Sequence, residues 1–345
     1  MLKLWQKVLF GFFAALVIGG SVGAVYINSK LDEVFVSSVD DELDSDVDLN
    51  INENLVVNDG NTLNVALFGL DCRTTDYSGC RSDAMMILSY KPTTNEVLVT
   101  SVQRDTYVEI MDHGYDKINH SYAYGGAALA IQTLNRSFDL DISQYITVDF
   151  WAVEKVIDAV GGITVEVDDE EFLYINKYVK ELNNKSPDDT KSELLAQAGS
   201  QLLNGRQAVA YMRIRYTANG DFGRMGRQRE VMELALDQMK NLSLTQMLKV
   251  VDELLPTIKT NLPKSEVVAM LTNVVTKGVP TMSQNQMPSN EAGVGQMIDG
   301  IYYYLPNTLL DNVQDLHDKI YGDQVYTAND TVVEMSQYIE SLLGN

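Results

Sequence analysis

The sequence is short of the residues and motifs on which many enzymes rely. It has three histidines, His113, His120 and His317, and their spacing matches no zinc site. It contains no G-x-S-x-G nucleophile elbow, no P-loop and no G-x-G-x-x-G motif. These absences argue against a zinc hydrolase, a serine hydrolase of the elbow type and a nucleotide-binding enzyme.

Positive charge is also scarce. Lysine and arginine together number 26 against 48 aspartates and glutamates, which gives a formal net charge of −22. Ten of the acidic residues lie in residues 31–61, a stretch without lysine or arginine that is typical of a self-repelling, extended tether. A protein with this excess of negative charge binds polyanions poorly, so we expect no nucleic-acid partner.

Residues 8–27 carry no charge at all. A helix of that length spans the roughly 30 Å core of a bilayer, and Lys3 and Lys7 before it orient the N-terminus toward the cytoplasm. The alternative is a cleavable secretory signal, which the length and the lack of a clear A-x-A site disfavour. We therefore predict a single-pass protein of the cell membrane, with a cytoplasmic tail at 1–7, a transmembrane helix at 8–27 and an extracytoplasmic linker at 28–61.

From residue 62 the pattern becomes globular. Short apolar runs bounded by turn signals alternate with segments of helical spacing, an order that favours an α/β fold with helices on both faces of a sheet. No linker divides the rest of the chain, so 62–345 is predicted to form one domain. The predicted strands are 63–70, 84–90, 96–102, 163–167 and 208–216, and the predicted helices include 121–138, 150–160 and 223–240.

Arginine is distributed unevenly. All ten arginines lie between Arg73 and Arg229, so the first 72 and the last 116 residues have none. The planar guanidinium binds carboxylate or phosphate oxygens in bidentate geometry, and its concentration in an acidic protein suggests recognition of such groups. Six of the ten fall at positions 206, 213, 215, 224, 227 and 229.

The spacing of this second group predicts an anion site. On a strand over 208–216, the period of two places Arg213 and Arg215 on one face. In the following helix, Arg224 and Arg227 share a face near the N-terminus, where free amides also favour an anion. The alternative is a basic surface stripe that pairs with neighbouring acids such as Glu230.

The loop "GLDCRTTDYSGCRSD" at 69–83 carries charges of both signs. Its carboxylates Asp71 and Asp83 suit Mg²⁺, which is held by one or two carboxylates together with water and phosphate oxygens. Arg73 and Arg81 lie beside them, and a magnesium ion with several arginines suffices for phosphoryl transfer. The alternative is a solvated surface loop.

The same loop holds both cysteines of the chain, Cys72 and Cys80. Outside the cytoplasm such a pair can stay oxidised, and a disulfide would fix the separation of the two acids. Two free thiols or a soft-metal site are the alternatives.

Seven blocks in this order resemble the LytR-CpsA-Psr family of bacterial cell-wall assembly, over about residues 62–240. They are "NVALFGLD-x-R", "RSDAMMILS", "VTSVQRDTYVEI", "DKINHSYAYGG", "AVGGITVEV", "LLNGRQAVAYMRIRY" and "GDFGRMGRQREV". The resemblance implies an α/β/α sandwich with a mixed sheet and an apolar channel for a lipid tail. It also implies a magnesium-dependent phosphotransferase that moves a glycopolymer from a polyprenyl pyrophosphate carrier to peptidoglycan.

Carried over by motif, Asp71 and Asp83 match the family's metal-binding aspartates. Arg104 and Asp105 are the catalytic candidates, although Asp105 could equally be a structural salt-bridge acid. The residues that match arginines and their neighbours around the pyrophosphate are Arg73, Arg81, Arg104, Arg213, Arg215, Arg224, Arg227 and Gln228. The alternative functions are a non-catalytic module that binds polyprenyl phosphate or polysaccharide, and a pyrophosphatase alone.

Overall fold

The structure is a computed structural model. It describes residues 48–53, 55, 62–70, 79–186, 190–215, 258–263, 281–289, 292–322 and 325–344, together with single positions and pairs between 223 and 269. None of the helices in these ranges combines the length and the apolar character that crossing a bilayer requires. The predicted transmembrane helix at 8–27 lies outside the described residues.

The chain divides into two compact units. In the described residues, unit one comprises Asp149–Ile258, and unit two comprises 48–148, 259–269 and 281–344. Each unit has its own buried apolar cluster.

Unit two is built on a six-stranded sheet. Its strands are β1 (Leu63–Leu70), β2 (Ser82–Lys91), β3 (Glu96–Val102), β6 (Gln144–Asp149), β9 (Ile258–Thr260) and β10 (Thr281–Met287). Their order in the sheet is β10-β3-β2-β1-β6-β9. Strand β2 pairs antiparallel with β1 and β3, whereas β10 pairs parallel with β3, so the sheet is mixed.

An irregularity lies where β2 begins. The register of β1 against β2 shifts between Gly69 and Leu70, so that Gly69 pairs with Ala84 and Leu70 with Ser82. A Cβ atom on Gly69 would lie 3.0 Å from the Cβ of Ala84, a close approach that glycine relieves. The resulting bulge sets the position of Asp83, and bulges of this kind often re-aim a side chain beside a site.

Among the described residues of unit two, three long helices and two hairpins accompany the sheet. The helices are α1 (His120–Phe138), α5 (Leu309–Tyr321) and α6 (Asp330–Leu343), and the hairpins pair β4 (Tyr107–Ile110) with β5 (Gly114–Lys117) and β11 (Gly293–Ile298) with β12 (Ile301–Pro306). Phe68 of β1, Ile87 of β2 and Leu134 of α1 are fully buried in the core. Each such side chain contributes about 1.5–3 kcal/mol of burial free energy.

Unit one contains α2 (Phe150–Ala159), β7 (Ile163–Val167), α3 (Asp169–Asn183), β8 (Gly199–Leu203) and α4 (Gly205–Met212). Strands β7 and β8 pair antiparallel, and α4 packs against both α2 and α3. The start of α4 comes so close to α2 that a Cβ atom on Gly205 would lie 2.0 Å from the backbone oxygen of Glu154. Only glycine fits there.

A mixed central sheet with flanking helices confirms the general fold predicted from the sequence. The apolar runs at 63–70 and 96–102 form strands with the predicted bounds, and helices cover 120–138 and 150–159. The described positions between 223 and 238 are helical, as predicted. Unit one also holds α3, a helix that was not predicted.

The strand predicted at 208–216 is wrong. Residues 205–212 form helix α4 instead, because Asn204 and Gln207 make a capping box. The Asn204 side chain accepts from the Gln207 amide at 3.0 Å, and the Gln207 side chain accepts from the Asn204 amide at 3.0 Å. Arg213 therefore caps the C-terminus of a helix, and the two-residue strand period that linked it to Arg215 does not apply.

Candidate functional site

Four charged side chains of alternating sign form a continuous line in unit two. Arg104 Nη1 donates to Asp83 Oδ1 at 2.7 Å, and its Nε lies 3.5 Å from Asp105 Oδ2. Lys117 Nζ donates to the other oxygen of Asp105 at 2.8 Å. We call this set, Asp83, Arg104, Asp105 and Lys117, the Asp83–Lys117 chain. All four side chains are between 10% and 17% exposed, so the ion pairs are shielded yet reachable from solvent.

The backbone around these residues is firmly held. Asp83 is the second residue of β2, and Arg104 and Asp105 lie in the turn that follows β3. The amide of Asn119 donates to the Arg104 carbonyl at 3.2 Å, and that of Tyr304 donates to the Asp105 carbonyl at 2.8 Å. Two separate segments, around Asn119 and Tyr304, thus hold the backbone of the catalytic candidates, which is the rigidity that a positioning site needs.

Three residues close in sequence to the Asp83–Lys117 chain each have a buried polar atom without a hydrogen-bond partner in the described residues. Within the described part of the protein, Ser82 Oγ, Gln103 Oε1 and Asn119 Oδ1 have no hydrogen-bond partner. Their residues are 0%, 8% and 3% exposed. Unsatisfied buried groups are costly and uncommon in folded proteins, so these three atoms are open to hydrogen bonds from a polar ligand.

Asp116 is a second carboxylate centre, one residue before Lys117. It accepts from the Tyr124 hydroxyl at 2.6 Å and from the Tyr303 hydroxyl at 3.3 Å, and His120 Nδ1 lies 2.8 Å away. Burial by itself raises the pKa of Asp116, but the hydrogen bonds from Tyr124, His120 and the Lys117 amide outweigh it and the pKa lies below its usual range. Asp116 is therefore ionised at neutral pH.

In unit one the predicted anion-binding arginines contact protein groups. Arg227 Nη2 donates to the Ile214 carbonyl at 2.8 Å, and its Nη1 lies 3.2 Å from Glu171 Oε1. Burial raises the pKa of Glu171, although the Asp168 amide and Arg227 counteract it. The Arg213 guanidinium lies 5.7 Å from the centre of the Tyr178 ring. Arg224, like Arg227, is buried, whereas Arg215 is exposed.

Arg206, in the same stretch of sequence, belongs to the scaffold. It is 3% exposed and donates to both carboxylate oxygens of Glu154, to the Asn183 side chain and to Ser186 and Thr190. We call these five residues the Arg206 network. With every donor group directed at protein acceptors, this arginine holds α2, α3 and α4 together.

The remaining predicted site residues are placed as follows. Arg81 is exposed and directly precedes β2, close enough to Tyr124 to influence it electrostatically. Cys80 is disulfide-bonded, and no described cysteine is free. The described residues contain no group of three or more His, Cys, Asp or Glu side chains arranged to hold a metal. Four predicted residues lie outside the described ones: Asp71, Cys72, Arg73 and Gln228.

Sequence reasoning gave no role to Lys117 and His120 and did not single out Asp116. The missed signal is the spacing Asp116-x-x-x-His120, which places both side chains on one side of the chain where a helix begins. The contact of Lys117 with Asp105 depends on the β4–β5 hairpin, in which Tyr107 pairs with Lys117. No local pattern reveals that contact.

Sequence comparison supplies independent information. A sequence model described as the LytR_cpsA_psr family matches residues 24–319 of the chain. A relative from Oceanobacillus iheyensis, named polyisoprenyl-teichoic acid--peptidoglycan teichoic acid transferase TagU, is 33% identical over 271 residues. That alignment covers 76% of this chain and 77% of the relative.

Two solved structures are similar to the fold. The protein gbs0355 from Streptococcus agalactiae aligns with a TM-score of 0.63 at 23% identity, covering 80% of this chain and 94% of that protein. YwtF (TagT), described as a LytR-CPS2A-psr family protein with bound octaprenyl pyrophosphate lipid, aligns with a TM-score of 0.52 at 24% identity. It covers 76% of this chain and 90% of that structure. At these identities the likeness establishes the fold.

Proposed function

The chain belongs to the LytR-CpsA-Psr family, and from that premise we propose that it transfers a glycopolymer from a polyprenyl pyrophosphate carrier to peptidoglycan. The relative TagU is named for such a transfer of teichoic acid, and YwtF (TagT) binds octaprenyl pyrophosphate. The observation that carries the proposal is the Asp83–Lys117 chain, which offers two cations and two carboxylates on a fixed backbone.

In the proposed reaction an acceptor sugar hydroxyl attacks the sugar-proximal phosphorus of the carrier. A bond forms between the acceptor oxygen and that phosphorus, the bridging phosphorus–oxygen bond breaks, and polyprenyl phosphate leaves. Arg104 and Lys117 stabilise charge on the phosphate oxygens, and the guanidinium provides planar, bidentate donors for them. Asp83 and Asp105 hold both cations in place before the substrate arrives.

The donor set fits Mg²⁺. Asp83 supplies hard carboxylate oxygens, is 11% exposed and has Arg104 as a neighbouring cation. Magnesium takes one or two carboxylates and completes its shell with water and phosphate oxygens. Asp83 and Asp71 are the residues that would hold the ion. When bound, it would neutralise negative charge on the pyrophosphate oxygens.

The proposal extends to the setting of the reaction. The uncharged segment at 8–27 and the lysines before it support a single-pass anchor with the catalytic part outside the membrane. That location suits a carrier whose prenyl tail stays in the bilayer. For the fold, the mixed sheet and its flanking helices support the α/β/α sandwich of the family.

The decisive experiment uses the full-length chain in detergent with a disaccharide linked to a short polyprenyl pyrophosphate, peptidoglycan fragments and Mg²⁺. The substitution Asp83→Asn keeps size and shape but removes the charge that orients Arg104. We expect it to lower the release of polyprenyl phosphate at least 100-fold, because removing one such electrostatic contact typically costs about 10²–10³ in rate. Mass spectrometry follows carrier and product.

The matched control is Asp315→Asn, an exposed acid on α5 that pairs only with Lys319 across a helix turn in the described part of the chain. It should turn over like the wild type. Carrier that binds but is never consumed would instead support a non-catalytic presenting module. Product formed with water alone, and none with peptidoglycan fragments, would support a pyrophosphatase.

A further inference from the structure

Asp116 orients the imidazole of His120, and neither the family resemblance nor the comparisons assign a role to this pair. His120 is the first residue of α1, and Asp116 lies one turn before it in β5. Nδ1 of His120 lies 2.8 Å from Asp116 Oδ2, and the two side chains are 16% and 18% exposed. The pair is sheltered without being sealed from solvent.

The hydrogen bond determines which ring nitrogen is basic. An ionised carboxylate only accepts hydrogen bonds, so Nδ1 of His120 must carry the proton that faces Asp116. In neutral His120 the lone pair then lies on Nε2. Within the described part of the chain, Nε2 has no hydrogen-bond partner. This is the arrangement in which a carboxylate fixes an imidazole as a proton acceptor.

Backbone contacts place the pair beside the Asp83–Lys117 chain. The amide of Ile118 donates to the Thr106 carbonyl at 2.9 Å, and that of Asn119 donates to the Arg104 carbonyl at 3.2 Å. His120 therefore directly follows a residue that is hydrogen-bonded to Arg104, and Lys117 directly follows Asp116. The proton acceptor and the cations occupy one corner of unit two.

A kink in α1 preserves this arrangement. Gly125 and Gly126 have non-helical dihedral angles, and Gly126 has φ +62° with ψ −155°, a conformation open essentially to glycine. The first turn of α1, which carries His120 and Tyr124, is thereby separated from the helix body. Both side chains of that turn reach the same carboxylate, since the Tyr124 hydroxyl donates to Asp116 Oδ2.

We propose that His120 accepts the proton of the attacking hydroxyl, with Asp116 as its positioning residue. The inference rests on the function proposed above. As the acceptor oxygen bonds to phosphorus and polyprenyl phosphate departs with the electron pair of the broken bond, the hydroxyl proton moves to Nε2 of His120. The resulting imidazolium is stabilised by Asp116 and returns its proton to water.

The test compares two histidines of unit two. The substitution His120→Gln removes the base and keeps a side-chain amide that can still bond to Asp116. His113→Gln is the matched control, because His113 only stacks on the Tyr124 ring, at 4.3 Å between centroids, and its contacts in the described residues include no carboxylate. We expect His120→Gln to lower kcat 10²–10⁴-fold, the usual contribution of general acid–base catalysis, with KM for the carrier changed less than threefold. His113→Gln should keep both constants.

The pH profile separates a base from a structural residue. A catalytic base gives kcat a pH-dependent limb, which should be present in the wild type and in His113→Gln and absent from His120→Gln. Asp116→Asn should lower kcat as well, with KM for the carrier changed less than threefold, because the imidazole loses the carboxylate that orients it. The other charged or titratable groups around the pair are Lys117, Tyr124, Tyr303, Arg81 and His113. Of these groups only His113 is changed, and only in the control variant.

The outcomes distinguish the two levels of proposal. A wild-type protein that releases no polyprenyl phosphate overturns the proposed function and this inference with it. Wild-type turnover together with equal kcat in His120→Gln and His113→Gln, or a pH-dependent limb that His120→Gln retains, overturns the inference alone. Thermal unfolding of each variant confirms that the compared proteins are folded.

Discussion

Arg206 in unit one and Arg104 in unit two both pair with acids, but Arg206 is buried, Arg104 is only partly buried, and their surroundings differ. The guanidinium of Arg206 is 3% exposed and is surrounded by one carboxylate and neutral acceptors on α3 and the segment that follows it. That of Arg104 is 16% exposed and lies between two carboxylates in a line that ends at Lys117. The first arrangement is complete in itself, whereas the second has unsatisfied polar atoms beside it.

The difference shows how to distinguish a scaffold arginine from a site arginine. The enrichment of the sequence in arginine does not by itself separate a scaffold arginine from a site arginine. What separates them is whether protein groups alone use the donors, and whether neighbouring buried groups lack partners. By this measure Arg206 stabilises the fold, whereas the surroundings of Arg104 support the ligand-binding role proposed for it.

The largest effect should come from Arg206→Met. The substitution leaves Glu154, a 13% exposed carboxylate, without the guanidinium that neutralises it. We therefore expect the free energy of unfolding of unit one to fall by about 3–5 kcal/mol. Trp151, whose ring lies 5.7 Å from the Arg206 guanidinium, reports this unfolding by its fluorescence in a denaturant titration. A loss below about 1 kcal/mol would place Arg206 outside the scaffold.

Arg104→Met should show the opposite balance. We expect turnover to fall by about 10²–10³, equivalent to about 2.7–4 kcal/mol of transition-state stabilisation. The loss of folding stability should be smaller than in Arg206→Met, because Asp105 keeps Lys117 as a partner. Parallel assays of polyprenyl phosphate release and of denaturant unfolding measure both terms. Equal turnover in the two methionine variants would erase the distinction.

His317 adds a third case to the comparison, because it is buried and forms no ion pair within the described residues. Its Nε2 donates to the Phe138 carbonyl at 2.9 Å, and burial lowers the pKa of its imidazole. The unfolded chain then binds more protons below about pH 6.5, so the stability of unit two should fall as the pH drops, by at most about 1.4 kcal/mol per pH unit. Hydrogen exchange of α5 measures this slope.

The control for that measurement is His113→Gln. His113 is exposed, so its replacement should leave the slope unchanged, whereas His317→Gln should flatten it. A slope that persists in His317→Gln would assign the pH dependence to other groups.

The smallest expected effect concerns the N-terminus of α4, which carries Arg206. Asn204→Ala removes the cap that satisfies the Gln207 amide, and caps of this kind contribute about 1 kcal/mol. Denaturant unfolding followed by Trp151 fluorescence should show a loss well below that of Arg206→Met. Comparable losses would mean that the Arg206 network depends on the cap.

Much of unit two was predictable because its signals are local. The runs at 63–70 and 96–102 are apolar, short and bounded by turn residues, and they form strands with the predicted bounds. Asp83, Arg104 and Asp105 were predicted as site residues from the family blocks, and the structure brings these three side chains together. Their proposed catalytic roles stay predictions.

The errors arose where local signals competed or were absent. Residues 208–216 alternate apolar and polar side chains toward their end, which suggested a strand, but the capping box at Asn204 and Gln207 starts a helix before that pattern begins. The partners of Arg206 come from α2, α3 and the segment after α3, so no sequence spacing could show that its charge is already neutralised. The Asp105–Lys117 pair likewise needs a hairpin to form first.

The parallel pairing of β10 with β3 bears on how a polypeptide emerging from the ribosome reaches this fold. Thr281 aligns with Glu96 and Met287 with Val102. The edge strand of the sheet therefore forms only after residues made late in synthesis have emerged. A chain that stops before Thr281 leaves the backbone groups of β3 without their neighbour and open to pairing with another molecule. Truncated products should therefore accumulate as aggregates rather than as smaller soluble proteins.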